Sequence, residues 1–171
     1  MPSFTRSSRI LAIVIASATM FGAGAAKAET PPPELARALQ AVADSADDAW
    51  NRRDPAAMVA HYADGATATI GNNQQVSGKG ELLAFFTNSF KGLPAGMTHR
   101  TVVKRIETIG EMKAVDSAVY LEMPDGAGGK RIVREFFTFA LVRPGNHGWE
   151  FVAVRAVPLG VPPVRTVAIE K

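Results

Sequence analysis

The side chains in this sequence best suited to acid–base chemistry are one glutamate and two histidines, Glu135, His61 and His99. Within "RIVREFFTFALVR" (131–143) successive side chains alternate sides, as in a strand. Val133, Glu135, Phe137, Phe139 and Leu141 share one face, and Ile132, Arg134, Phe136, Thr138 and Ala140 share the other. The first set is the more apolar. A carboxylate among phenylalanines loses hydration, which favours its neutral form and suits a hydrogen-bond donor or general acid. The alternative is a Glu135 paired with an arginine of a neighbouring strand, or lying at a sheet rim. His61 stands beside Tyr62 near the end of a short helix, where it would serve as an acid/base or ligand-binding group if aimed inward. The simpler reading of a histidine at a helix end is a satisfied, half-exposed side chain. His99 opens a long strand and shares a face with Thr101, Val103 and Arg105. His147, in the turn "PGNHG", is expected in solvent.

Trp50 and Tyr62 are large amphipathic side chains that can touch a ligand, although core packing also explains them. Asp54 and Asp64 read as cap and turn residues. "DGAGGK" is a hairpin turn: Pro124 occupies the place of the first glycine of a phosphate-binding loop, and Arg131 replaces its Ser/Thr. His61 and Asp64, three apart, lack a third partner for a metal site. HExxH, GxSxG and GxGxxG are absent, and with no cysteine there is no thiol nucleophile or thiolate ligand. No metal and no cofactor is expected.

Positioning these residues requires helices first and strands afterwards. Leu35, Leu39, Val42, Ala46 and Trp50 recur at helical spacing, with Asp44, Asp47 and Asp48 between them. Asp54-Pro55 caps a second helix through "AAMVAHYA", expected to end at Asp64-Gly65. A strand over 66–70, a loop at "GNNQQ" and a third helix from Ser77-Gly78 to Gly92 follow. Strands are expected over 98–109, 113–123, 131–143 and 148–157. This order indicates an α+β architecture with N-terminal helices packed on a curved, mostly antiparallel sheet.

Residues 1–28 read as a signal peptide: Arg6 and Arg9, then "ILAIVIASATMFGAGAA", then the small-x-small "AKA". The strongly apolar part is too short to span a bilayer. Arg6, Arg9 and Lys27 are the charged residues of this segment, so the rest of the chain is formally neutral despite the overall +3. Nucleic-acid binding therefore has no electrostatic support, and after cleavage no membrane contact is expected. The expected organisation is signal peptide 1–28, leader 29–33, one domain over 34–158 and an extended tail 159–171, in a periplasmic or secreted protein.

The stretches "WNRRD", "HYADGATATI" and "SGKGELLAFF", followed by four long strands, resemble the nuclear-transport-factor-2-like superfamily, its SnoaL-like and ketosteroid-isomerase-like branch, over roughly 34–158. The resemblance implies a cone around a pocket, and usually a homodimer. It also implies that the face of Val133, Glu135, Phe137 and Phe139 lines the pocket. The opposite face, with Arg134, Phe136 and Thr138, and Trp149, Phe151 and Arg155 of the last strand, would then be the dimer interface. The general-base Asp of ketosteroid isomerases would fall on Ile70 and their oxyanion-hole Tyr on Ala46, so that mechanism is rejected. Two functions remain open. One is a pocket for a small apolar or amphipathic molecule, with isomerase- or lyase-like chemistry by Glu135 with His61 or His99. The other is a non-catalytic dimeric association module whose pocket is filled by its own side chains.

Overall fold

The computed structural model describes residues 31–71, 73–146, 148–160 and the backbone of 166–167. The expected signal peptide, His147 and most of the tail lie outside these residues.

Helix α1 (Pro33–Asn51) buries Leu39, Ala43, Ala46, Asp47, Ala49 and Trp50 along one stripe. It stops at Arg53, which takes a positive φ of 58° and lays its guanidinium 4.4 Å from the centre of the Trp50 ring. Helix α2 (Pro55–Ala60) starts as its sequence dictates: Pro55 needs no hydrogen-bonded N–H, and the Asp54 carboxylate accepts from the Ala57 N–H at 2.9 Å. It is shorter than expected. His61 is its C-cap and Tyr62 already begins strand β1 (Tyr62–Ile70), because the His61 carbonyl accepts the Phe151 N–H at 2.8 Å instead of continuing the helix.

"GNNQQ" is also more ordered than expected. Gly71 and Asn73 both take positive φ and turn the chain back, so that β2 (Gln74–Ser77) pairs antiparallel with β1. Helix α3 (Gly78–Lys91) follows at once. The backbone N–H of Ser77, its N-cap, donates to Glu81 Oε2 at 2.7 Å, which ties the entry of the helix to its first turn. Gly78 has φ +75°, and a Cβ there would lie 3.4 Å from the Asp64 carbonyl, so a side chain at this junction would be strained.

The long strands are β3 (Thr98–Ile109), β4 (Met112–Pro124), β5 (Lys130–Gly145) and β6 (Gly148–Pro158). The sheet runs β2-β1-β6-β5-β4-β3, antiparallel except for the parallel β1–β6 pair. A short β7 (Thr166–Val167) pairs with β5 at Lys130 and Arg131, beyond the end of β6. The pairing registers shift by one residue at Lys104, Val133 and Val152. Such bulges bend strands and increase their twist, which curls the sheet around α1 and α3. The helices close one side of the cone. Leu82 is fully buried, and Trp50, Tyr62, Phe86 and Phe90 pack with it in the larger core cluster. Burying each such side chain contributes about 1.5–3 kcal/mol.

Candidate functional site

The inner face of the sheet and the buried stripe of α1 enclose an open cavity of about 290 Å³. Strand register orders its floor into rows. His99, Leu121 and Arg134 form one row, and Thr101, Val119 and Phe136 the next. Val103, Ser117, Thr138 and Ala156 follow, then Val115, Ala140 and Val154. Tyr62 and Ile70 of β1, with Phe85, Phe86 and Ser89 of α3, complete the wall. Among these lining residues only Gly71 and Arg134 are exposed, which places the mouth beside them.

This floor reverses the expected face of β5. Arg134, Phe136, Thr138, Ala140 and Val142 line the cavity, whereas Val133, Glu135, Phe137 and Phe139 do not. Phe137 is 38% exposed on the outside, and Val133 sits at a bulge. Glu135 is half-buried opposite Tyr120, and its carbonyl accepts the Leu159 N–H at 3.0 Å. The face that the resemblance puts inside, the more apolar of the two, is the outer one. A cavity-lining face needs small residues such as Thr138 and Ala140, while bulky aromatics on the outer face leave the same period-2 signal. On β6, likewise, Phe151 lines the cavity, and Trp149 packs against the second core cluster around Leu39.

The two histidines separate. His61 is half-buried, with Nε2 3.3 Å from the Ser45 hydroxyl, and does not line the cavity. Burial lowers its pKa below the ordinary histidine value, opposed by the interaction with Ser45. His99 lines the cavity. Its Nδ1 is 2.6 Å from Asp47 Oδ1, its backbone N–H donates to Asn51 Oδ1 at 2.7 Å, and its ring lies 5.1 Å from that of Trp50. The Asp47 carboxylate, 7% exposed, also accepts the Thr101 N–H at 2.5 Å and the Thr101 hydroxyl at 2.7 Å. Every buried polar side-chain atom among the described residues has a partner, so this cluster is held without orphaned groups. With Nδ1 engaged by a carboxylate, Nε2 is the nitrogen left for a ligand.

Asp47 went unrecognised in the sequence, although its position carried a signal. It lies four residues after Ala43 and three before Trp50, inside the apolar stripe rather than on the solvent side. A charged residue there must find partners, and Thr101 and His99 supply them. Trp50 and Tyr62 line the cavity as expected from their size; complete burial raises the Tyr62 pKa and keeps its hydroxyl protonated. Ile70 and Ala46 also line it, so apolar side chains stand where the resemblance would put the two catalytic groups of a ketosteroid isomerase.

On its other side His99 borders a shallower depression. There the buried Glu122 accepts from Arg100 Nε at 2.9 Å and lies 3.7 Å from Lys130 Nζ. Among the described residues no three His, Asp or Glu side chains gather as a metal site requires, and no helix is long and apolar enough to cross a membrane.

No protein-family model and no curated protein matches the chain. Solved structures do. A ketosteroid isomerase-like protein from Erwinia carotovora atroseptica aligns with TM-score 0.58 and 20% identity, covering 75% of this chain and 98% of the other. An NTF2-like protein with a cystatin-like fold from Novosphingobium aromaticivorans aligns with TM-score 0.62 and 13% identity, covering 72% and 80%. A domain of unknown function with a cystatin-like fold from Nostoc punctiforme gives TM-score 0.62 and 18% identity over 74% and 78%. The protein thus has the NTF2-like fold.

Proposed function

We propose that this chain is an exported protein that takes a small apolar or amphipathic molecule into the cone cavity and acts on it by acid–base chemistry through His99. The observation that carries the reading is a single oriented histidine facing an open, mostly apolar cavity of about 290 Å³. Ligand sites usually combine such a lining with a few fixed polar groups. Asp47 would hold the Nδ1–H tautomer, leave Nε2 as the base, and stabilise the imidazolium that forms when Nε2 takes a proton from the ligand. Returning that proton to another carbon of the ligand would complete an isomerisation, and delivering it to a leaving oxygen as the C–O bond breaks would complete an elimination. Glu135, on the opposite face, has no part in this scheme.

The open cavity weighs against an association module with a filled pocket. A homodimer is compatible with either reading, because Phe137 and Val157 leave apolar surface exposed on the outer side of the sheet. Sedimentation as a monomer at micromolar concentration would remove that part of the proposal.

The experiment is native mass spectrometry of the protein purified from its own host, beside His99→Gln and Ser117→Phe. A co-purifying small molecule that is excluded by Ser117→Phe, and retained but unconverted by His99→Gln, supports both parts. If the wild type carries no ligand and binds none from a host lipid and metabolite extract, the proposal fails.

A further inference from the structure

We infer that the molecule taken into the cavity carries one anionic group, a carboxylate or its equivalent, on an apolar body, and that Arg134 receives that group at the mouth. This rests on the cavity being a ligand site and adds the ligand's charge and direction of entry. Among the described residues four charged or titratable side chains line the cavity, Asp47, Tyr62, His99 and Arg134, and burial keeps the Tyr62 hydroxyl protonated and neutral. The Asp47 carboxylate is consumed by His99 and by the amide and hydroxyl of Thr101. Arg134 makes no ion pair or hydrogen bond among the described residues, and its one ring neighbour is Phe136 at 5.9 Å. The nearest carboxylates along the strands do not answer it: Glu135 points to the other face, and Glu122 is held by Arg100 and Lys130.

A guanidinium left over at the rim of an apolar cavity presents a planar fork of donors that matches a carboxylate. The register then sets the ligand's direction. Arg134 and His99 occupy the same row two strands apart, roughly 10 Å at the backbone. One ligand can therefore lay its acid on Arg134 and bring its body under the Nε2 of His99. Beyond that row the floor loses polarity, from Thr101 through Ser117 and Thr138 to Val115, Ala140 and Val154. A second acid deeper in the ligand would meet no cation there, so the class is a monoacid with an apolar remainder.

The test is fluorescence titration with two probes that share a body, anilinonaphthalene sulfonate and its uncharged parent phenylnaphthylamine, on the wild type, Arg134→Gln and Arg134→Lys. The expected result is a sulfonate preference of about tenfold or more in the wild type, lost in Arg134→Gln with affinity for the neutral parent within about twofold, and largely kept in Arg134→Lys. Equal affinities in the wild type, or a preference that survives Arg134→Gln, would overturn the anionic class while leaving the pocket reading standing. Failure of both probes to bind the wild type would remove the pocket reading itself.

Discussion

Phe136 and Phe137 are adjacent on β5 and meet opposite surroundings. Phe136 is 9% exposed and lines the cavity; Phe137 is 38% exposed on the outer face. The same division runs the length of the strand. The inner set combines one large ring with Thr138, Ala140 and an arginine, and leaves a void. The outer set carries Phe137, which is exposed, and Phe139 and Leu141, which are half-buried. The lesson is that mean apolarity does not mark the inside of a hollow fold. Thr138 and Ala140 stand beside Phe136 on the inner face, and their small side chains leave the room that the hollow needs.

The largest expected effect comes from the phenylalanine pair. Phe136→Ala should cost about 3–4 kcal/mol and Phe137→Ala under about 1 kcal/mol in urea denaturation of the monomer. A comparable cost at Phe137 that grows with protein concentration would mean that a second copy covers the outer face. Next, Asp47→Ala should cost about 2–3 kcal/mol, because the Thr101 amide and hydroxyl lose their acceptor at a buried site. Asp44→Ala, one turn earlier and exposed, should stay within about 0.5 kcal/mol.

Ligand binding should divide along the same line. Glu135→Leu should leave probe affinity within about twofold, while Thr138→Phe should abolish it by filling the floor. Loss of binding in Glu135→Leu at unchanged stability would restore the outer carboxylate as a site residue. The smallest effect concerns the histidine outside the cavity. Burial lowers the pKa of His61 in the folded chain, so the unfolded chain takes up its proton first as pH falls. Stability should therefore drop as pH goes below the ordinary value of 6.5 and continue to drop until the lower folded pKa is passed. His61→Gln should flatten that part of a denaturation-against-pH profile. An unchanged slope would show that His61 is as hydrated in the folded chain as in the unfolded one.

Much of the fold was legible because its signals are local. The Asp54-Pro55 cap, the apolar stripe of α1, the opening of α3 at Gly78 and the four long strands depend on neighbours within a few residues, and each appears close to its expected place. Two boundaries failed where distant partners decide: Tyr62 leaves the helix to join β1 because β6 binds the backbone there, and "QQVS" becomes a strand by pairing with β1. The site was less legible. His99, Trp50 and Tyr62 line the cavity as their residue types suggest, whereas Asp47 and Arg134 line it although their charge alone points to solvent or an interface.

The sequence by itself determined the order of elements, the period of each strand and therefore which residues of β5 travel together. It left open which of those two sets turns inward, since a period of two is unchanged when the strand is flipped. Only the tertiary structure decided that. Bulges at Lys104, Val133 and Val152 curl the sheet one way, and α1 lies in the hollow so formed. Asp47 and His99, 52 positions apart, thereby come within 2.6 Å, while Glu135 remains on the far side.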